Sequence, residues 1–329
     1  MELKKLGAGF RVPAVGLGCG GMSGTYGPAD DAESIATIHA ALDAGITLLD
    51  TADFYGMGHN ETLIGRALRP GDRERAVLSV KFGGLRGPDH AFRGIDARPV
   101  AVANFLAYSL RRLGTDYVDI YRPARLDPAV PIEDTVGAIA DMIQAGYVRG
   151  IGLSEVGPET IRRAHAVYPV TDVQIEYSLF SRGIEDGILA TCRELGIGVT
   201  AYGVLAQGLL SGALPTAAPG ARGHLPRFAA GNVEANLALV GELKKVAAAR
   251  GATVAQLAIA WVLAQGREHG DIVALVGARR PRRIADAVGA AGLELTREDL
   301  AAIERAVPRG AVVGDRYAPA LLAMLDSER

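Results

Sequence analysis

Eight short runs rich in Val, Ile and Leu recur along the chain, most of them separated by longer segments of helical periodicity, and this rhythm restricts the fold more than any other feature. The runs are 13–20 (PAVGLGCG), 46–52 (ITLLDTA), 76–82 (AVLSVKF), 116–122 (DYVDIYR), 148–154 (VRGIGLS), 172–178 (DVQIEYS), 198–203 (GVTAYG) and 271–277 (DIVALVG). Between them, Ile35, Ile38 and Leu42 share one face of 31–45, and 100–114 closes on Gly114, a residue suited to a helix C-terminus. Strand and helix in alternation imply a parallel sheet. Eight repeats in 329 residues match an α/β fold, a closed (β/α)8 TIM barrel, read as a single domain over 1–329. The period breaks at 83–97, in a Pro/Gly-rich excursion over 207–233, and in a tail over 309–329. Both excursions follow strand C-termini, where barrel enzymes place their active sites and lids.

One motif points elsewhere and is set aside. GLGCGG (16–21) has the spacing of a dinucleotide fingerprint, but MSGTYGPAD follows it where that motif requires a helix to open. A glycine-rich strand end that lets a ligand approach the backbone is the better reading.

Charge narrows the partners. Lys+Arg 35 against Asp+Glu 37, with no basic block, offers no electrostatic footprint for nucleic acid or an anionic membrane surface, so a small-molecule substrate is expected. Cys19 and Cys192 stand far apart and match no zinc or redox spacing. With no signal-like N-terminus and no membrane-length apolar window, a cytoplasmic protein is expected.

The chemistry gathers at three strand ends, LLDTADFYG, SVKFG and GLSE. Asp50, Tyr55 and Lys81 fall where two neighbouring strands open onto the catalytic face. A tyrosine at its free value of about 10 is a poor acid at neutral pH, and a lysine cation beside it favours the phenolate. Asp50 can hold such a lysine in place. The trio would deliver a proton to a carbonyl oxygen while hydride arrives from elsewhere. An ion pair beside a packed ring, with no chemistry at all, fits the same spacing. Asp53, His59 and Glu61 lack metal-ligand spacing, and no metal is expected.

LLDTADFYG, SVKFG, DYVDIY, GLSE, QIEYSL, TAYGVLAQGLLSG and IVALVGARRPRRIADAVGA, in that order, resemble the aldo-keto reductase superfamily, from residue 3 to about 308. The resemblance implies a barrel that uses NADPH without metal, with Asp50, Tyr55 and Lys81 at the catalytic positions and Tyr55 the proton donor. It implies that Ser154 and Gln174 hold the nicotinamide carboxamide and that Tyr202 stacks on the ring, with Asp50 and Glu155 as further candidate cofactor contacts. Gly203, Leu205 and Gln207 would follow the pyrophosphate, the backbone at Gly18, Cys19 and Gly20 would approach the cofactor, and Gly277 is a further candidate cofactor contact. In GARRPRRIADA a helix opens at Pro281, where free N–H groups favour an anion. Arg279 and Arg283 stand there, with Arg283 matching the adenosine 2′-phosphate ligand and Asp286 the adenine contact, although the asparagine that usually follows Asp286 is Ala287.

The departure from the family lies in DIYRPARLDP. The fourth strand usually ends in a histidine that polarises the substrate carbonyl, and Ala124 stands there. None of the six histidines falls in this strand; His90, in the first excursion, is the candidate replacement. Arg122 shares a side with residue 124 in an extended strand and is the candidate catalytic substitute, with Glu155 of the next strand as its partner. Arg316 and Tyr317 of the tail are expected near the substrate pocket. The A-R-x-D strand end resembles the branch that includes pyridoxal reductases. Two functions are compatible with these residues: an NADPH-dependent reductase of aldehydes or ketones, or an NADPH-binding regulatory protein resembling the potassium-channel β subunits.

Overall fold

In a computed structural model, which describes every residue except Tyr26, 213–221 and His224, eight parallel strands close into a barrel. They are β1 (Val15–Gly18), β2 (Leu48–Ala52), β3 (Val77–Phe82), β4 (Val118–Pro123), β5 (Val148–Ser154), β6 (Val170–Glu176), β7 (Gly198–Tyr202) and β8 (Ile272–Gly277), paired in sequence order with β8 returning to β1. Each strand corresponds to one of the eight apolar runs. The strands are buried on both faces, the outer one by helices, and this is why they read as continuous Val/Ile/Leu segments.

The helices follow their strands. They include α1 (Asp31–Asp43), α2 (His59–Ala67), α3 (Pro99–Leu113), α4 (Ile132–Gln144), α5 (Pro158–Val167), α6 (Ile188–Glu194), α7 (Asn232–Ala249), α8 (Val254–Gln265), α9 (Arg282–Ala291) and α10 (Arg297–Ala306). Local chemistry sets their ends. The Asp30 carboxylate caps α1 by accepting from the Glu33 N–H at 2.7 Å, and Gly114 ends α3 at φ 66°. Trp261 lies in the core on α8, as its apolar surroundings in the sequence imply. No single described helix is long and apolar enough to cross a membrane.

The two ends of the barrel differ. At the N-terminal end a hairpin of Leu3–Lys5 and Arg11–Pro13 plugs the floor, with Leu6 and Val12 packed against Leu48, Ile120 and Val273. At the other end, 83–97 forms a second hairpin pairing Gly84–Arg86 with Phe92–Ile95. His90 sits exposed at its turn with φ 62°, its N–H donating to Gly87 O within the hairpin. The GLGCGG segment continues into a 3-10 turn, Gly20–Ser23, and the first helix opens at Asp31, so no helix starts on the glycines. Of the 207–233 excursion, 213–221 and His224 lie outside the described residues. The 309–329 tail packs back across the mouth, where Asp326 Oδ2 accepts from the Gly157 N–H at 2.8 Å.

Candidate active site

A ladder of polar side chains climbs the barrel interior towards the mouth. At its base the Arg122 guanidinium, completely buried, pairs with Asp172 Oδ2 at 3.1 Å, and Thr200 donates to the same oxygen at 2.5 Å. Arg122 also donates to Ser79 Oγ at 2.9 Å, Ser79 donates to Asp50 Oδ2 at 3.0 Å, and Gln174 Nε2 donates to that oxygen at 2.7 Å. Lys81 Nζ completes the ladder with a short ion pair to Asp50 Oδ1. Two cations alternate with two carboxylates, so the desolvated charges are compensated locally.

The pairing of Arg122 corrects the sequence expectation. Its partner is Asp172, not Glu155, because the side chain turns down into the barrel and crosses β5 at Gly152. A Cβ at Gly152 would lie 2.8 Å from Arg122 Cζ and 2.9 Å from Asp172 Oδ1, so only a missing side chain on β5 lets β4 reach β6. Arg122 therefore stands beneath Asp50 and does not reach the mouth.

Above the ladder, Tyr55 follows β2 on a short turn, and its ring centroid lies 5.1 Å from Lys81 Nζ. Gly20 makes room for the ring, since a Cβ there would approach Tyr55 Cε2 to 2.9 Å. Buried Asn60 fixes the β1 end against α2 by donating to Cys19 O at 2.9 Å and accepting from Thr51 Oγ1 at 2.7 Å. Burial pushes the Cys19 thiol far above its ordinary value, leaving it inert. Asp50, Tyr55 and Lys81 thus come together as the sequence suggests. Asp53 and Glu61 are buried behind them, and burial raises Asp53 to about 7. Among the described residues no group of acidic, His or Cys side chains is arranged to hold a metal.

Glu155 takes the tail as its partner. It sits at φ 54°, a strained conformation for a non-glycine residue, and its carboxylate accepts from Arg316 Nη2 at 2.5 Å, from Tyr202 Oη at 2.6 Å and from Ser327 Oγ at 2.7 Å. Burial alone would raise its pKa, but Arg316 above all outweighs burial and holds it at about 2. Tyr202 Oη also lies 3.2 Å from Tyr317 Oη, so the tail fixes both Glu155 and Tyr202.

Ser154 and Gln174 face each other in register across β5 and β6. Gln174 spends its amide N–H on Asp50, which leaves Oε1 without a partner among the described residues. Ser154 Oγ accepts from Arg125 at 3.3 Å and keeps its own proton to donate. One acceptor and one donor side by side is the complement of a primary carboxamide. After β7, Gly203 at φ 67° leads through Leu205 to Ala206 and Gln207, two successive non-glycine residues at φ 45° and 55°. Strain of this kind costs about 1–3 kcal/mol per residue and collects at ligand clamps. Gly18 and Gly277 pair at the β1–β8 edge. At the start of α9, Arg279 donates to Gly27 O and Pro28 O and makes no salt bridge among the described residues, whereas Arg283 pairs with Asp286 at 3.3 Å.

Arg125 enters the sequence reading only as the arginine of the A-R-x-D strand end, not as a functional candidate. The strand ends at Pro123, the alternation of sides ends with it, and residue 125 is delivered to the mouth. Arg125 donates from Nη1 to Ala124 O at 2.6 Å and to Ser154 Oγ, and it makes no salt bridge among the described residues. Burial works against its charge, and the field of Tyr202, Glu155, Tyr317 and Tyr55 more than restores it. The signal available was a second arginine just past a strand-ending proline.

Comparison with known proteins agrees with this geometry. The model of the aldo/keto reductase family matches residues 14–308. The chain belongs to the aldo/keto reductase family. A probable aldo-keto reductase 1 of Glycine max is 42% identical over 322 residues, covering 95% of this chain and 91% of that protein. Among solved structures, glycerol dehydrogenase from Gluconobacter oxydans superposes with a TM-score of 0.84 at 33% identity, covering 96% of this chain and 98% of that one. An aldo/keto reductase from Klebsiella pneumoniae in complex with NADP and acetate gives 0.74 at 28% identity, covering 97% and 99%. Membership makes the chain an oxidoreductase, and NADP(H) is the cofactor of the family. The carboxamide-matched pair and the strained loop after β7 fit that cofactor.

Proposed function

We propose that this oxidoreductase reduces an aldehyde or ketone to an alcohol with NADPH, as one barrel domain working in the cytoplasm. When bound, the nicotinamide supplies hydride to the carbonyl carbon. Tyr55 delivers the proton to the carbonyl oxygen, and the Lys81 ammonium stabilises the phenolate that Tyr55 becomes. Asp50 holds Lys81 in place and is itself held by Ser79 and Gln174. Ser154 and Gln174 orient the carboxamide, with Tyr202 against the ring. The backbone at Gly18, Cys19, Gly20 and Gly277 approaches the cofactor. Gly203, Leu205 and Gln207 take the pyrophosphate. Arg279 and Arg283 at the α9 start select the 2′-phosphate, and Asp286 meets the adenine once Arg283 is released to the phosphate.

The observation that carries this reading is the Lys81 ammonium, fixed by Asp50 and 5.1 Å from the centre of the Tyr55 ring. Its test is oxidation of NADPH, followed at the nicotinamide absorbance, across a panel of aldehydes and ketones that includes pyridoxal. Tyr55→Phe is expected to lower the rate by about 100-fold or more. Tight NADPH binding without Tyr55-dependent oxidation across the panel would favour the regulatory reading.

A further inference from the structure

A cation buried at an enzyme's mouth without an anion is an arrangement that protein interiors otherwise avoid, because a desolvated charge is costly unless it is paired. Arg122 obeys the rule, with Asp172 as its partner and Ser79 accepting beside it. Arg316 obeys it too, between Glu155, Glu176 and Glu328. Arg125 does not. It is half-buried, it makes no salt bridge among the described residues, and its recorded bonds are both made by Nη1, to a neutral carbonyl and a neutral hydroxyl. Its Nε and Nη2 donors have no hydrogen-bond partner among the described residues.

Glu155, a carboxylate whose charge reaches Arg125, already accepts from Arg316, Tyr202 and Ser327. The tail thus engages that carboxylate. Tyr202, Tyr317 and Tyr55 also lie within range of the Arg125 charge. Ala124 offers only a methyl group there, and Arg122 is committed below. Through Ser154, which faces Gln174 in register, Arg125 is joined to the residue that donates to Asp50.

We propose that Arg125 is a catalytic residue of this reductase, its free N–H edge donating to the oxygen of the substrate carbonyl and stabilising the negative charge that develops there. The assignment rests on the carbonyl-reductase reading given above. As hydride forms the new C–H bond, the C=O π pair moves onto oxygen, the Tyr55 O–H bond breaks, and its proton forms the alcohol. Carbonyl and NADPH become alcohol and NADP+, and Tyr55 regains its proton from solvent. Arg125 keeps all its protons throughout, since a guanidinium does not titrate in this range. It acts as a preorganised donor in a water-poor site, where such a group is worth about 100- to 1,000-fold in rate.

The test is single-turnover oxidation of enzyme-bound NADPH by p-nitrobenzaldehyde and by pyridoxal, in the full chain, with Arg125→Met, Arg125→Lys and Tyr55→Phe. Arg125→Met is expected to lose about 100-fold or more at saturating aldehyde while the NADPH dissociation constant stays within about twofold. Added guanidinium chloride at low, non-denaturing concentration restores part of that rate and restores nothing in Tyr55→Phe. Arg125→Lys, with a point charge and no fork, falls between the two. Unfolding midpoints close to that of the parent chain confirm that the losses are chemical.

Full-rate turnover by Arg125→Met, with Tyr55→Phe inactive, overturns the assignment alone. A loss of rate matched by a loss of NADPH affinity also overturns it, making Arg125 a cofactor-positioning residue that acts through Ser154. Tyr55→Phe turning over like the parent chain would instead bring down the reductase reading on which the assignment rests.

Discussion

Arg122 and Arg125 stand three residues apart at the end of one strand, and they live in opposite electrostatic regimes. Arg122 is fully buried in the barrel interior, bonded to Asp172 and Ser79, and its charge is spent within the protein. Arg125 is half-buried at the mouth, bonded among the described residues only to neutral oxygens, and its charge is left for something else. Burial alone therefore does not mark a functional cation. What separates the two is whether the fold supplies a counter-charge, and it does so for the lower arginine only.

The largest expected break in this comparison is at Arg122. Arg122→Met leaves Asp172 buried and uncompensated, which costs about 3–5 kcal/mol of stability, to be read from chemical denaturation. Arg125→Met removes no ion pair and should shift stability by less than about 1 kcal/mol. Gly152→Ala comes next, because the added Cβ drives into the Arg122–Asp172 bridge. It should cost about 1–3 kcal/mol in the same assay, with no effect on residues that avoid the bridge.

Glu155 sharpens the other half, because Arg316 engages a carboxylate whose charge reaches Arg125. Its pKa is depressed from the ordinary 4.5 to about 2, so the folded state favours the carboxylate. This contribution is fully present above about pH 4.5 and is lost as the pH falls through about 2. A depression of this size corresponds to about 3 kcal/mol as an upper figure. Glu155→Gln should be less stable than the parent chain above pH 4.5, the two converging as the pH approaches 2. A constant difference across that range would mean the carboxylate is not tied as described.

How much of this was legible in the sequence follows from the physics of each feature. The eight strands were, because a parallel strand buried on both faces must be a continuous apolar run, as in AVLSVKF and DIVALVG. The cluster of Asp50, Tyr55 and Lys81 was, because each lies at or just beyond a strand C-terminus. The partner of Arg122 was not, because it reaches past its neighbouring strand to the next one, over a glycine whose role is to have no side chain. A hint lay in DVQIE, where Asp172, Gln174 and Glu176 alternate as polar residues of one face inside a buried strand. Arg125 was hidden differently. Extending the strand beyond Pro123 keeps 122 and 124 on one side and turns 125 away, whereas the strand ends at that proline. The partner of Glu155 comes from a tail 161 residues further along the chain, a contact that no local pattern encodes.

The most direct test of the division between the two arginines is chemical rescue measured side by side. Single-turnover NADPH oxidation would be followed in Arg122→Met and Arg125→Met, each with and without added guanidinium ion, at a temperature where both remain folded. The account predicts that guanidinium restores turnover to Arg125→Met, whose missing group faced the substrate. It predicts no such recovery in Arg122→Met, whose missing group was sealed beneath Asp50. Recovery in Arg122→Met with none in Arg125→Met, or undiminished turnover in Arg125→Met, would contradict it.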